Sequence, residues 1–191
     1  MKYILLFCAT FYVNFASAQF NTSVYWTEQT TLSSPNIIYY NAAKPLIWKD
    51  FQGTPVESSR ASAITASGFG YKADVKNKGS QGQLNIGVYC FFNKNTSWVK
   101  AGKSTDYILS HEQNHFNISF IAANHFIEKL KNADFNVTNY NVLLGRFYKE
   151  SCDYMNRMQD DYDGQTKNGQ LKDVQGKWNE FISQKVSVLT R

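Results

Sequence analysis

The sequence predicts an α+β fold in which short strands come first and three helices follow. Two observations support this order. The first half of the chain holds runs rich in β-branched and aromatic residues, separated by polar turn residues. After Ser104 the apolar residues recur at helical spacings, as in the set Leu109, Phe116, Phe120, Ile127 and Leu130. Strands that precede the helices, rather than alternating with them, are typical of the α+β class.

The first 18 residues are predicted to be a signal peptide. Lys2 precedes an apolar run, Tyr3 to Phe15, and Ala16-Ser17-Ala18 then supplies the small residues of a cleavage site. The apolar run is shorter than the about 20 residues that a transmembrane helix needs. We therefore expect cleavage after Ala18, no membrane span, and an exported protein that is periplasmic or secreted.

Residues 19–191 are predicted to form a single domain. The chain is 43% hydrophobic and 16% aromatic, which supplies enough apolar side chain for one core. Its formal net charge is +5, from 20 basic and 15 acidic residues that are interleaved along the sequence. Interleaved charges indicate a solvated surface, so we expect no nucleic-acid partner. Nothing in the sequence indicates an oligomeric state.

Three stretches in the first half are predicted to contain strands. Residues 36–53 predict one or two short strands interrupted near Pro45, and residues 61–75 alternate small and apolar side chains. Residues 84–100 are rich in β-branched and aromatic side chains and predict one or two further strands. The polar stretch 76–83 predicts a turn, so we expect neighbouring strands to pair antiparallel.

The second half is predicted to form three helices, over residues 105–132, 138–160 and 170–188. Ser104 or Thr105 can cap the first helix, because either hydroxyl can accept a hydrogen bond from a free amide of the first turn. The stretch 162–170 between the second and third helices is predicted to be irregular.

The first predicted helix carries the motif H-E-x-x-H at positions 111 to 115. Residues four apart lie one turn apart on one helix face, so His111 and His115 can offer two imidazole nitrogens to one cation. Zinc prefers such ligands and keeps one position for water in catalytic sites. Glu112 lies beside them and is the expected general base. The motif therefore predicts Zn²⁺ as cofactor and hydrolysis of a peptide or protein substrate.

A catalytic zinc site needs at least three protein ligands, and the motif supplies two. His125 lies ten residues beyond His115, which is about 15 Å along a helix, so it is not expected to bind the same ion. The remaining candidates are carboxylates farther along the chain. They are Glu150, Asp153, Asp160, Asp161 and Asp163. Glu150 with Asp153 resembles the gluzincin arrangement, in which a downstream helix supplies a glutamate ligand.

Several sequence blocks together resemble a bacterial family labelled predicted secreted zinc-dependent proteases. The blocks are "WKDFQG" (48–53), "AITASG" (63–68), "SWV" (97–99), "HEQNHFNI" (111–118), "YDGQT" (162–166), and the tail spacing Gln175, Trp178, Ile182. The resemblance implies an exported, zincin-like domain with His111 and His115 as zinc ligands and Glu112 as base.

The same resemblance addresses the third ligand. Family members usually continue the block at 162 as Y-D-x-E-T-x-H, and that last histidine is the natural ligand. In this chain Asn168 stands at the histidine and Gln165 at the glutamate. The resemblance implies that this stretch folds back over the motif helix and brings Asp163 or Asn168 to the metal. Glu150 is the alternative ligand, and the resemblance does not point to it. Tyr162 is then a candidate for stabilising an oxyanion.

Two functions are compatible with these features. The first is an exported zinc metallopeptidase, whose strand at 96–100 would pair with an extended substrate. The second is a catalytically inactive envelope protein, a binding or structural relative that keeps the fold.

Cys90 and Cys152 are the two cysteines outside the predicted signal peptide. In an exported chain, such a pair favours a disulfide over a metal site. We therefore expect a bond between them.

Overall fold

A computed structural model describes residues 20–32, 35–78 and 81–190. The predicted signal peptide, residues 1–18, lies outside these residues. Within them the strands precede three helices, which confirms the α+β class. The strands are β1 (Phe20–Trp26), β2 (Ile37–Tyr39), β3 (Ala63–Ile64), β4 (Ser67–Lys78), β5 (Gln81–Asn93) and β6 (Trp98–Val99). The helices are α1 (Asp106–Lys131), α2 (Tyr140–Thr166) and α3 (Lys172–Leu189).

The long strand β5 organises the main sheet. β4 pairs with it antiparallel along its length, and β2 pairs antiparallel with its C-terminal end. β1 instead runs parallel to it, with Phe20 opposite Gly82 and Trp26 opposite Val88. The expectation of antiparallel strands is therefore wrong for β1. No strand was expected there, although exposed residues alternate with more buried ones along most of β1, as in a half-buried strand.

The core lies between this sheet and α1. Five inward side chains of β5 alternate along the strand and are at most 2% exposed: Leu84, Ile86, Val88, Cys90 and Phe92. They pack against the apolar face of α1, which begins at the predicted cap, where the Thr105 hydroxyl accepts a hydrogen bond from the Ile108 amide at 3.3 Å. α2 and α3 cover the other side of α1. The motif helix is thus enclosed on most sides, which fixes its side chains in place.

Of two further predicted stretches, the first agrees with the structure and the second differs. The stretch 36–53 contains the three-residue strand β2 and a 3₁₀ turn at Trp48–Asp50, interrupted around Pro45 as expected. The stretch 162–166 was expected to be irregular, but it is the last turn of α2. Tyr162 and Thr166, one turn apart, are both fully buried there. The Thr166 hydroxyl donates to the Tyr162 carbonyl at 2.7 Å, so burial of this face extends the helix.

Cys90 and Cys152 are free thiols, so the predicted disulfide is not present. Cys90 points into the core from β5, close to Tyr40. Cys152 sits on α2 at the edge of the same core, where it is hydrogen-bonded to Tyr148.

Across the described ranges, no helix has both the length and the hydropathy needed to cross a membrane.

Candidate metal centre

Three potential ligand atoms converge between α1 and α2. The Nε2 atoms of His111 and His115 are 3.2 Å apart. Oδ1 of Asp163 lies 3.1 Å from each of them. Of the described residues, these three form the group of histidines and acids that could hold a metal ion. The two histidines are one turn apart on α1, and Asp163 faces them from the last turns of α2.

The size of this triangle fits a small cation. Zinc binds histidine nitrogen and carboxylate oxygen at about 2.0–2.1 Å, and two ligands of a tetrahedral shell are then about 3.3 Å apart. The observed separations of 3.1 and 3.2 Å are close to that value. Two nitrogens and one carboxylate oxygen are also a common ligand set of catalytic zinc sites. The residues present therefore fit Zn²⁺ as three of its four ligands.

The far side of each imidazole ring faces a glutamine. Nδ1 of His115 lies 2.5 Å from Oε1 of Gln159, and Nδ1 of His111 lies 2.8 Å from Oε1 of Gln175. The amide nitrogen of Gln159 donates to the His115 carbonyl at 2.9 Å, which turns the amide oxygen toward the ring. Each Nδ1 therefore carries a proton, and each Nε2 directs a lone pair toward the cluster.

The charges around the cluster favour a cation. Burial alone would raise the pKa of Asp163, but hydrogen bonds with His111 and His115 outweigh it and hold that pKa well below its ordinary value. Burial alone would lower the pKa of His115, but its hydrogen bond with Asp163 and the nearby charge of Glu112 raise it. These hydrogen bonds need a proton on an Nε2 atom beside the ionised carboxylate. A metal ion would take the place of that proton, because without either one the lone pairs and the carboxylate oxygen repel one another.

Glu112 adjoins the cluster and is only 4% exposed. Its backbone carbonyl accepts a hydrogen bond from the Thr65 hydroxyl at 3.1 Å. Burial raises the pKa of its carboxyl group above the ordinary value. Its Oε2 atom is buried without a hydrogen-bond partner among the described residues. Buried carboxylate oxygens are rarely left unpaired, so this atom is available to a water molecule or a substrate in the pocket that Glu112 lines.

A pocket of about 600 Å³ opens onto the cluster. Its lining includes residues 61–65, the motif residues of α1, and residues of α2 and of the turn that follows it. β3 pairs with β6 on its other side, where the Lys100 amide donates to the Ser62 carbonyl at 2.9 Å. Because successive residues of a strand direct their backbone groups to opposite sides, Ala63 and Thr65 direct theirs away from β6.

This arrangement corrects one expectation about the substrate. The stretch 96–100 was expected to offer its edge to an extended peptide, but β6 is paired with β3. The described residues that line the pocket include none of β6. The free edge beside the metal cluster belongs to β3.

Comparison with known proteins gave no match. No protein-family model, no curated protein and no solved structure is similar to this chain. The family resemblance of the sequence blocks stays a prediction, and the geometry of the site carries the functional argument.

Asp163 is the predicted third ligand that the structure brings to the histidines, whereas Asn168 is not part of the cluster. Asn168 lines the pocket with an exposed side chain, in a left-handed turn with φ of 54°. Its backbone amide donates to the Asp163 carbonyl at 2.9 Å, which closes the end of α2. Among the hydrogen bonds of the described residues, none joins its side chain to His111, His115 or Asp163.

Glu150 is excluded as a ligand. It lies thirteen residues before Asp163 on the same helix, which is about 20 Å along its axis. Its carboxylate instead pairs with Lys129 at 2.9 Å. His125 is also remote from the cluster, as its position ten residues beyond His115 predicts. It contacts Ser151 at 3.2 Å and stacks on Tyr154.

Tyr162 does not occupy the position expected for an oxyanion donor. Its side chain is fully buried, and its ring stacks on His111 with centroids 4.7 Å apart. The described residues that line the pocket do not include it. Its hydroxyl receives hydrogen bonds from Gln175 and Asn114, behind the histidines. The structure therefore does not place Tyr162 where the expected role needs it, and its ring instead packs against His111 outside the pocket.

The two glutamines and Thr65 were not among the site residues predicted from the sequence. A local signal existed for Gln159, which lies four residues before Asp163 and therefore on the same face of α2. Gln175 stood out only as part of the tail spacing, with no role attached. Thr65 contacts the motif helix across 47 positions of sequence, and no local pattern indicates that contact.

Proposed function

We propose that the protein is an exported zinc-dependent metallopeptidase. The observation that carries this proposal is one pocket that contains both the triangle of His111, His115 and Asp163 and the unpaired carboxylate oxygen of Glu112. Calcium and magnesium prefer six or more oxygen ligands, so two nitrogens and one oxygen favour zinc. Zinc bound there would lower the pKa of a water molecule and polarise a carbonyl group.

Glu112 is suited to move the proton of the attacking water. Its Oε2 has no hydrogen-bond partner among the described residues, and burial raises the pKa of the carboxyl group toward the range in which a carboxylate takes up a proton efficiently. After attack, the same carboxyl group can return the proton to the leaving amine. The carboxylate thus acts first as base and then as acid.

The edge of β3 favours a peptide as substrate. Ala63 and Thr65 line the pocket, and they direct backbone N–H and C=O groups away from β6. An extended peptide can add to such an edge as a further strand through main-chain hydrogen bonds. The scissile carbonyl would then lie between this edge and the cluster formed by α1 and α2.

The test combines metal content with hydrolysis. Purified protein should contain close to one zinc per chain by native mass spectrometry, and His115→Ala should lose it. His125→Ala is the matched control on the same helix and should keep the metal. Glu112→Gln should keep zinc while hydrolysis of an unfolded protein substrate falls by about 10²–10⁴-fold.

Two results would contradict the proposal. If wild type and His115→Ala contain equally little zinc after dialysis against it, the metal site is not real. If Glu112→Gln hydrolyses the substrate as fast as wild type, the activity comes from elsewhere. Zinc binding without any hydrolysis would instead favour a catalytically inactive envelope protein, a function that the asparagine at 168 already allows.

A further inference from the structure

A closed network of buried polar side chains lies behind His111, outside the pocket. It joins all three helices through Asn114 of α1, Tyr162 of α2, and Gln175 and Asn179 of α3. Gln175 is 1% exposed and Tyr162 is fully buried. The described residues that line the pocket include none of the four, so they do not touch a substrate there. Buried polar groups of this kind need complete hydrogen bonding.

The partners of Gln175 allow one orientation of its amide. Its Nε2 group donates to the Tyr162 hydroxyl, and to Oδ1 of Asn179 at 2.6 Å. Oδ1 of Asn179 also accepts a hydrogen bond from Asn114 at 2.7 Å, so this atom is an acceptor. A reversed Gln175 amide would place its oxygen against that acceptor. The Gln175 oxygen therefore faces His111, where it accepts the Nδ1 proton at 2.8 Å.

The hydroxyl of Tyr162 fixes the orientation of the remaining hydrogen bonds in the network. Its hydroxyl oxygen accepts from Gln175 and, at 3.3 Å, from Asn114. Its own proton is then directed to the carbonyl of His111 at 3.4 Å. Each of these donors has an acceptor, and reversing the amide of Gln175 alone would leave two acceptor atoms facing each other. The orientation of the Gln175 amide is therefore set by the whole network rather than by one contact.

We infer that Gln175 is a positioning residue that fixes the tautomer of His111, with the proton on Nδ1 and the Nε2 lone pair directed to the metal. The inference deepens the proposed function and rests on it for the identity of the metal. His115 is held differently. The side-chain amide of Gln159 accepts from the His115 ring and donates to the backbone carbonyl of His115. The link from α3 to the cluster therefore runs through Gln175 to His111.

Replacing Gln175 separates this role from general packing. Gln175→Met keeps the length of the side chain and removes the acceptor, so zinc affinity should fall by about 10–100-fold, as for other outer-shell partners of metal ligands. Gln175→Glu keeps an acceptor for the Nδ1 proton, so its zinc affinity should be higher than that of Gln175→Met. Its second oxygen faces Oδ1 of Asn179, so its thermal stability should fall below that of wild type. Gln184→Met, at an exposed position on the same helix, is the matched control and should leave zinc affinity unchanged.

Ring ¹⁵N NMR of metal-free protein provides a readout that packing alone does not change. In wild type and Gln184→Met, the Nδ1 proton of His111 should be observed and protected from exchange with water. In Gln175→Met it should exchange rapidly, while thermal unfolding remains cooperative. Wild-type zinc affinity together with a protected Nδ1 proton in Gln175→Met would overturn the inference. The NMR readout needs no zinc, so failure of the proposed metal would leave this test intact.

Discussion

At His111 and His115, the proton positions follow from the neighbours of each ring. Both Nδ1 atoms face an amide oxygen, at 2.8 and 2.5 Å, so both Nε2 atoms are left as acceptors beside Asp163. Without a cation, two lone pairs and a carboxylate oxygen would lie about 3 Å apart, which is unfavourable at low exposure. A proton can relieve this repulsion, and so can a metal ion. Protons and zinc therefore compete for the same atoms.

This competition predicts the pH dependence of zinc binding. Asp163 and Glu112 raise the pKa of His115, so its Nε2 holds a proton at higher pH than an ordinary histidine. Zinc must displace that proton, and affinity should fall as pH decreases through the raised pKa, by about tenfold per pH unit for each proton released. Competition titrations with a zinc-sensitive chelator at pH 8, 7 and 6 would measure this. Equal affinity at all three would mean that the histidines are not the ligands.

At the scale of elements, helical periodicity and strand composition indicated the type of nearly every element. The exceptions share one cause, namely contacts distant in sequence. β1 has the alternating exposure of a half-buried strand, but its parallel partner β5 is distant in sequence, so the pairing has no local signal. The stretch 162–166 is helical because Tyr162 and Thr166 are buried against other helices, although Gly164 and Gln165 suggest a loop. Propensity and pattern describe a segment alone, and tertiary packing overrides them here.

The edge of β3 makes a prediction at this scale. The N–H of Ala63 points away from β6, so Ala63→Pro removes a donor from the outer edge of β3 without removing a hydrogen bond between β3 and β6. Hydrolysis of a peptide long enough to pair along β3 should weaken by about tenfold, mainly through KM, while zinc content stays at the wild-type level. A short chromogenic substrate that spans little more than the scissile bond serves as the control and should be affected much less. Equal loss on both substrates would indicate that β3 does not bind the peptide.

At the scale of the whole molecule, the candidate site is an assembly of distant segments. The H-E-x-x-H pair was predictable because both histidines lie within one helix turn, and Asp163 was a candidate because a sequence block pointed to it. Gln175 contacts His111 across 64 positions, and Thr65 contacts Glu112 across 47. Such pairs become neighbours only when the three helices and the β3 segment pack together. No local sequence pattern indicates such pairs, and the supporting residues and the lining of the pocket were therefore not predicted.

Because α1 and α2 supply the ligands and α3 supports one of them, zinc should stabilise the packed fold as a whole. A ligand that binds the folded state alone adds about 2.7 kcal/mol at a free concentration 100 times its Kd. For a chain of this size, each kcal/mol shifts Tm by about 2–4 °C, so zinc should raise Tm by about 5–10 °C and EDTA should reverse the shift. Scanning calorimetry of wild type, His115→Ala and His125→Ala would measure it, with the shift expected in the first and third proteins. If His115→Ala shows the same shift as wild type, zinc acts at another place on the molecule.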